Sequence, residues 1–304
     1  MAEARYVLVD VFAEGRFKGN PLAVFPDGSA VPERLHQTVA RELNLSETTF
    51  VYPAKDGSHD FGVRIYTPAE ELPFAGHPTL GTTFVLALEG RIALNAGKGS
   101  TRLGEKVGVI PVDLENMKDG AGSATMQQPK PEFDAPVNNR SALAALVALE
   151  AADLHPELLP QVVSCGVPFL ILPLRDLGAA RRARPRADLW ESTLGAMGTP
   201  NVLVVARETE KAGHDWHARM FAPHIGVVED PATGSAAGPL GAYTVRHRVL
   251  PANPAGETAI TIEQGIEMGR PSVLRVRVRA LGDDITTVLV SGDCHRIGEG
   301  KLTL

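Results

Sequence analysis

Three short stretches carry side chains able to move a proton or hold an anion. Glu47 stands in Asn44-Leu45-Ser46-Glu47-Thr48-Thr49-Phe50, where a helical pattern hands over to a strand-like one. A carboxylate among apolar neighbours has a raised pKa and can serve as general base and then general acid. Taken alone, the position suits a surface or capping glutamate better. His77 follows the turn Ala75-Gly76 and precedes Pro78. It could hydrogen-bond a bound anion or relay a proton, or simply bond to nearby backbone. Asp230, in Glu229-Asp230-Pro231, is a candidate catalytic or substrate-orienting acid, and also an ordinary turn residue before proline. Ser235 is a ligand donor or a small packing residue. Gly76 and Gly234 would let the backbone approach a ligand closely.

The helices that follow these glycines must position them. From Thr79 to about Glu89, Leu80, Phe84, Val85, Leu86 and Leu88 occupy most of the helix circumference, the pattern of a helix buried on all sides. Pro78 fits its first position, where a missing N–H costs nothing. Such a start presents backbone N–H groups and the positive end of a dipole, suited to a carboxylate or phosphate or to an enolate-like charge in a transition state. The chain repeats the motif. With Pro73 set on Pro231, Gly76 falls on Gly234 and His77 on Ser235; Arg64–Pro68 matches Arg219–Pro223, and Gly19–Val24 matches Gly166–Ile171. The ordered matches indicate a duplication: two like lobes, each with a buried helix, and a ligand cleft between them.

Along the chain, Tyr6–Phe12, Asn20–Phe25, Thr48–Tyr52 and Phe61–Tyr66 read as strands, and Pro32–Leu43 as an amphipathic helix. Ala124–Pro131 reads as the first strand of the second lobe and Ser141–Leu154 as a helix. Ile285–Ser291 reads as the last full strand, with Gly300–Leu304 returning to the first lobe. The expected division is 1–118 (plus a return at about 285–304) and 119–284.

The 304 residues carry a formal net charge of −6, which removes the electrostatic case for nucleic acid or an anionic membrane surface. Arg181, Arg182, Arg184 and Arg186 are diluted by Ala and Pro and read as a solvated helix end or loop. The two cysteines, Cys165 and Cys294, form no C-x-x-C and fit a reducing compartment. The N-terminal residues lack a signal-peptide pattern, and no apolar run reaches spanning length, so a cytoplasmic protein is expected. His214 and His217 have no third ligand placed by a motif, so zinc is not expected. Arg270 lies in a distinctive loop, Met268–Ser272. No P-loop and no G-x-G-x-x-G after a strand occurs.

Taken together, Asp10-Val11-Phe12, Gly19-Asn20-Pro21, Asn44–Thr48, Leu72–Thr79, Glu229–Ala236, Gln264-Gly265 and Gly269–Ser272 resemble, in order and over nearly the whole chain, the PhzF-like (phenazine-biosynthesis-like) family. The resemblance implies a diaminopimelate-epimerase-like α/β (α+β) fold: two pseudo-symmetric lobes, each a mixed, mostly antiparallel sheet curled round a central buried helix. It implies an active site between the lobes and, as in many members, a homodimer. The family's best characterised activity is isomerisation of trans-2,3-dihydro-3-hydroxyanthranilate without metal or organic cofactor. By resemblance Glu47 matches the general base and acid, His77, Asp230 and Ser235 match residues that flank and bind the substrate, and Gly76 and Gly234 match turns whose amides hold it.

Racemases and epimerases of the same fold use two thiols, one just before each turn glycine. Here those positions are Ala75 and Thr233, which leaves Glu47 as the evident base. The expectation is an isomerase that moves a proton on a small carboxylate substrate. Another epimerase or lyase using Glu47, and a non-catalytic small-molecule binder of the same fold, are the alternatives.

Overall fold

The computed structural model describes residues 3–54 and 56–304. The chain separates into two compact units, residues up to Gln127 together with Ser291–Leu304, and Gln128–Val290. The first unit contains β1 (Glu3–Val11), β2 (Asn20–Phe25), α1 (His36–Leu43), β3 (Glu47–Pro53), β4 (Phe61–Tyr66), β5 (Glu71–Leu72), α2 (Gly76–Leu88), β6 (Gly99–Glu105), β7 (Gly108–Lys118) and β8 (Ala121–Gln128). The chain continues through β9 (Glu132–Phe133), α3 (Arg140–Leu146), β10 (Gln161–Ser164), β11 (Pro168–Pro173), α4 (Leu177–Arg182), α5 (Ala187–Leu194), β12 (Val202–Ala206), β13 (Trp216–Ala222), β14 (Val227–Asp230), α6 (Gly234–Arg246), β15 (Glu257–Gln264), β16 (Ser272–Leu281) and β17 (Asp284–Thr303). The later part of β17 belongs to the first unit.

The two units repeat one strand plan. In the first, β1 and β2 are antiparallel, β2 and β3 parallel, and β3 and β4 antiparallel. β4 then pairs antiparallel with the short β5 and parallel with β6, and β6 pairs antiparallel with β7. In the second, β10, β11, β12, β13, β14, β15 and β16 pair in the same order with the same polarities. A 13-residue helix follows the short strand in each, α2 after β5 and α6 after β14. The Gly19 and Gly166 bends both sit at the first hairpin with positive φ, as their alignment in sequence requires. In the first unit the ring closes, because β8 pairs with β7 and with β17, and β17 pairs with β1.

The sequence reason for a helix inside a sheet is plain in α2. Every residue from Gly76 to Ala87 is buried, and the helix packs on β1, β2, β3, β6 and β7. A helix with no polar face has nowhere else to go. Close approach is bought by glycine: a Cβ on Gly81 would lie 2.7 Å from Leu22 Cδ2 and 2.8 Å from Val11 Cγ2. In α6, a Cβ on Gly238 would strike the Gln128 amide and lie 3.1 Å from Val288.

A charged clasp is repeated as well. Arg64 on β4 holds Glu71 of β5 through Nε and Nη2 (2.9 and 3.1 Å). Arg219 on β13 holds Glu229 of β14 in the same fashion (2.8 and 2.9 Å). Bidentate pairing fixes the short strand, and with it the chain that enters each helix.

Several expectations need correction. Ala124–Pro131 does not open the second lobe. Its strand, β8, is the hairpin partner of β7, turning at Asp119 and Gly120 with φ of 52° and 74°. An Asp-Gly pair between alternating segments is the usual hairpin signal. The last strand is far longer than Ile285–Ser291: it pairs with β1 from Val11 opposite Cys294 to Glu3 opposite Thr303, with one register shift between Leu8 and Val9. α2 begins at Gly76, so Pro78 is its third residue, still within the turn where an N–H has no helical partner. α3 ends at Leu146, well short of Leu154.

Gly→Ala inside a helix ordinarily stabilises by about 0.5–1 kcal/mol. At residue 81 the sign should reverse. Gly81→Val should cost about 1–3 kcal/mol through overpacking, read as a lower urea midpoint.

Candidate active site

In the first unit α1 ends at Asn44, in the left-handed region, with its N–H on the Ala40 carbonyl. Three residues later Glu47 opens β3, opposite Leu22 of β2. Alternation along a strand puts Glu47 and Thr49 on one face, and that face meets α2. Thr49 Oγ1 lies 2.9 Å from Thr82 Oγ1, and Glu47 Oε2 lies 3.3 Å from His77 Nε2. The spacings agree: two strand residues advance about 6.6 Å and five helical residues about 7.5 Å. Glu47 is 8% exposed, so its burial is not that of a surface or capping glutamate.

Asn20, fully buried at the start of β2, sets the His77 ring. Its Nδ2 lies 3.1 Å from His77 Nδ1. An amide nitrogen donates, so Nδ1 accepts and the ring hydrogen sits on Nε2, facing Glu47. Burial pushes the imidazole down to about 3, so it stays neutral at ordinary pH. The Nε2–Glu47 contact lacks the alignment of a full hydrogen bond. A neutral N–H thus faces the carboxylate without saturating it. Asp10, also buried, accepts from the Phe17 N–H at 2.6 Å and holds the β1–β2 connection ahead of Asn20.

No side chain caps α2: its N-cap is Ala75. Thr79 N–H bonds the Ala75 carbonyl, and Pro78 has no N–H, so Gly76 and His77 present the N–H groups that precede any helical partner. Pointing out of a helix start, they suit an anion.

The second unit builds the corresponding turn differently. Asp230 ends β14, and its Oδ2 accepts from Thr233 Oγ1 at 2.5 Å. This turn role is the alternative raised for Asp230 from sequence. Gln264, the last residue of β15, accepts from Thr233 N–H (3.2 Å) and donates to the Asp230 carbonyl (2.8 Å) and Thr233 Oγ1 (2.9 Å). Gln128 Nε2 donates to the Gly234 carbonyl at 2.9 Å. Thr233 therefore spends its hydroxyl on the turn and does not cap α6, leaving Gly234 and Ser235 as its first N–H groups. Gly234 and Ser235 are both buried. Glu47 and His77 are thus brought together in one unit, and Asp230, Gly234 and Ser235 around one helix start in the other.

Sequence reasoning did not single out Asn20, Gln264 or Gln128. Asn20 was visible only as part of Gly19-Asn20-Pro21; a polar residue at a fully buried strand start is the signal. His214 and His217 both turn to Glu263 (2.8 and 2.9 Å), and His217 also meets Glu267 at 2.9 Å. Burial alone would lower His217, but the two carboxylates override it and hold the ring protonated, up to about 9. A protonated ring is no metal ligand, and among the described residues no His, Cys, Asp and Glu side chains group to hold a metal. Arg270 closes its loop through its N–H on the Gly265 carbonyl (2.9 Å). Arg181 and Arg182 lie in the exposed last turn of α4. Cys165 and Cys294 are fully buried, and burial raises both thiols, Cys165 to about 12. Among the described residues no helix is long and apolar enough to cross a membrane.

The profile of the family described as phenazine biosynthesis-like protein matches residues 9–300. The chain belongs to that family. It is 38% identical over 301 residues to the trans-2,3-dihydro-3-hydroxyanthranilate isomerase of Pseudomonas aeruginosa, covering 99% of each chain. Among solved structures it resembles a PhzF-family phenazine biosynthesis protein of Bacillus anthracis (TM-score 0.88, 25% identity, all of both chains). It also resembles a predicted epimerase of Pseudomonas aeruginosa (TM-score 0.82, 34% identity, 99% of both chains). The chain is an isomerase of this family.

His77 should show the Nε2–H tautomer by 15N NMR and no protonation between pH 5 and 9. Its folded pKa lies below the free value of 6.5, so the linked stability is complete above pH 6.5 and drains away as pH falls towards 3. Asn20→Leu should release the tautomer and broaden the ring signals.

Proposed function

We propose that this isomerase shifts a proton between two carbons of a small, carboxylate-bearing substrate with an activated C–H bond. The observation that carries the reading is Glu47, buried and facing the N–H of a neutral His77 at an uncapped helix start. Glu47, ionised, takes the proton from carbon and becomes the acid. The electron pair left behind spreads into the conjugated system of the substrate. Glu47 then returns the proton at a different carbon, so nothing is gained or lost and no oxidant is needed. His77 Nε2–H steadies the carboxylate before the transfer and the developing charge after it. The N–H groups of Gly76 and His77 bind the substrate carboxylate and steady the dienolate-like transition state, and in the second unit those of Gly234 and Ser235, with the Ser235 hydroxyl, form a second anion-binding turn. Asp230 orients the substrate while fixing the turn into α6.

The substrate class follows the named activity of the Pseudomonas relatives: a cyclic amino or hydroxy carboxylate such as trans-2,3-dihydro-3-hydroxyanthranilate. Ala75 and Thr233 occupy the places of the paired thiols of racemases of this fold, which argues against two-thiol racemisation. The same reading takes the working species as a cytoplasmic homodimer that uses no metal or organic cofactor and engages neither nucleic acid nor membrane.

In heavy water the wild-type protein should incorporate solvent-derived deuterium into the substrate during turnover, followed by NMR. Glu47→Gln should reduce that turnover by about 10²–10⁴-fold with the fold intact, the usual share of a general base; undiminished exchange would remove Glu47 from the mechanism. Asp230→Asn should weaken the same turnover less, because an amide still accepts the Thr233 hydroxyl. Survival of full activity in Asp230→Ala would exclude a substrate role for that residue.

A further inference from the structure

One buried carboxyl of the first unit has no part in the mechanism above. Glu105 is the last residue of β6, and its Oε1 lies 2.6 Å from Thr79 Oγ1. The same hydroxyl lies 2.7 Å from the Ala75 carbonyl, which it approaches from one turn into α2. A threonine hydroxyl has one hydrogen. It cannot serve two acceptors at such distances with good geometry. The carbonyl has no hydrogen to offer, so the second must come from Glu105.

The surroundings agree. Glu105 is buried, and its Oε2 is shut away from water and meets no hydrogen-bond partner among the described residues. Among the described residues no cation pairs with it. Lys106, next in the chain, reaches Glu71 at 2.8 Å; Arg64 on β4 is held by the same Glu71; His77, on the same helical turn as Thr79, is neutral and occupied by Glu47 and Asn20. On β7, Glu105 is paired with Gly108. Burial raises the carboxyl to about 8, against a smaller pull in the other direction from Thr79.

The internal repeat supplies an independent argument. β4 pairs with β6 at Gly62–Gly104, two residues before Arg64; β13 pairs with β15 at His217–Glu263, two residues before Arg219. Aligning the two arginines places Glu105 on Gln264. Gln264 uses its NH2 to donate to a hydroxyl and a carbonyl of the turn before α6. A protonated Glu105 does the same kind of work for α2: an O–H in place of an N–H.

We propose that Glu105 is a positioning residue that acts as a protonated acid, donating to Thr79 Oγ1 so that Thr79 donates to the Ala75 carbonyl and fixes the backbone from which Gly76 and His77 project. Deprotonation reverses the chain. Thr79 then donates to the carboxylate, the Ala75 carbonyl loses the hydroxyl, and the helix start with its His77 ring loosens. The kinetic consequence rests on the function proposed above; the protonation state does not.

The test compares wild type with Glu105→Gln, Glu105→Leu and Thr79→Val. By 13C NMR of carboxyl-labelled glutamate, one carboxyl of the wild type should titrate near pH 8 and be missing from Glu105→Gln. Substrate-dependent deuterium exchange should fall in the wild type above that pH and stay level in Glu105→Gln, whose amide keeps the donor. Glu105→Leu and Thr79→Val should lose roughly tenfold or more in kcat at every pH, the scale of a misplaced catalytic group. The folded carboxyl binds its proton more tightly than the unfolded one (about 8 against 4.5), so the linked stability is whole below 4.5 and lost as pH rises through 8. Glu105→Gln should therefore raise Tm relative to wild type at pH 9 and leave it unchanged at pH 4. A carboxyl that titrates in the ordinary range, or a Glu105→Gln variant with the wild-type pH profile, overturns the proposal. Should no carboxylate be turned over even by wild type, the function proposed above fails, and the NMR titration and the Tm comparison still decide the state of Glu105.

Discussion

The constraint on which the rest depends is a helix that starts in the interior with nothing to cap it. A helix end leaves backbone N–H groups without partners, and most proteins meet them with Ser, Thr, Asp or Asn. Here α2 begins after Ala75, and α6 after a Thr233 whose hydroxyl is engaged elsewhere. In each unit most of the helix is buried, so the turn that opens it is kept at a cost in stability. Such costs persist when neighbouring structure holds them in place. The bidentate arginine clasps on Glu71 and Glu229 are that structure, since they anchor the short strands leading into both turns.

The two units keep one plan and have parted in chemistry. The first places an ionisable pair, Glu47 and His77, against its helix and reads the ring tautomer through Asn20. The second carries Ser235 where the first has His77, and an amide network of Gln264 and Gln128 about Asp230 and Gly234. One half holds a carboxylate against a neutral imidazole, the other holds its helix start with amides. A duplication supplies that division readily, because each copy already brings a helix dipole and a glycine turn.

Much of this was legible in the residues. The largely apolar circumference of α2 announced a buried helix, and the Pro-x-x-Gly turns at Gly76 and Gly234 announced the repeat. Glu47 was not legible by itself: a junction glutamate looks the same whether it faces water or a histidine, and only the block around it raised its standing. His77 was visible as an odd residue at a helix start, but its neutrality depends on burial, and its tautomer on Asn20, which lies far away in sequence. Glu105 gave no local sign and Gln264 showed only as part of Gln264-Gly265, since their meaning lies in strand register, and register is set by pairing partners. The misassigned β8 failed for a different reason: the Asp119-Gly120 turn was hidden in a stretch rich in Gly, Lys and Asp that resembled a crossing between lobes.

The strand β17 has one more consequence. Its later half, from Ser291 onward, pairs with β1 and is part of the first unit, whereas the second unit is a single unbroken run from Gln128 to Val290. On a ribosome the contiguous unit can finish its sheet as soon as it has emerged. The β1 edge has to wait for the final fourteen or so residues, so the lobe that carries Glu47 is the first to be synthesised and the last to close.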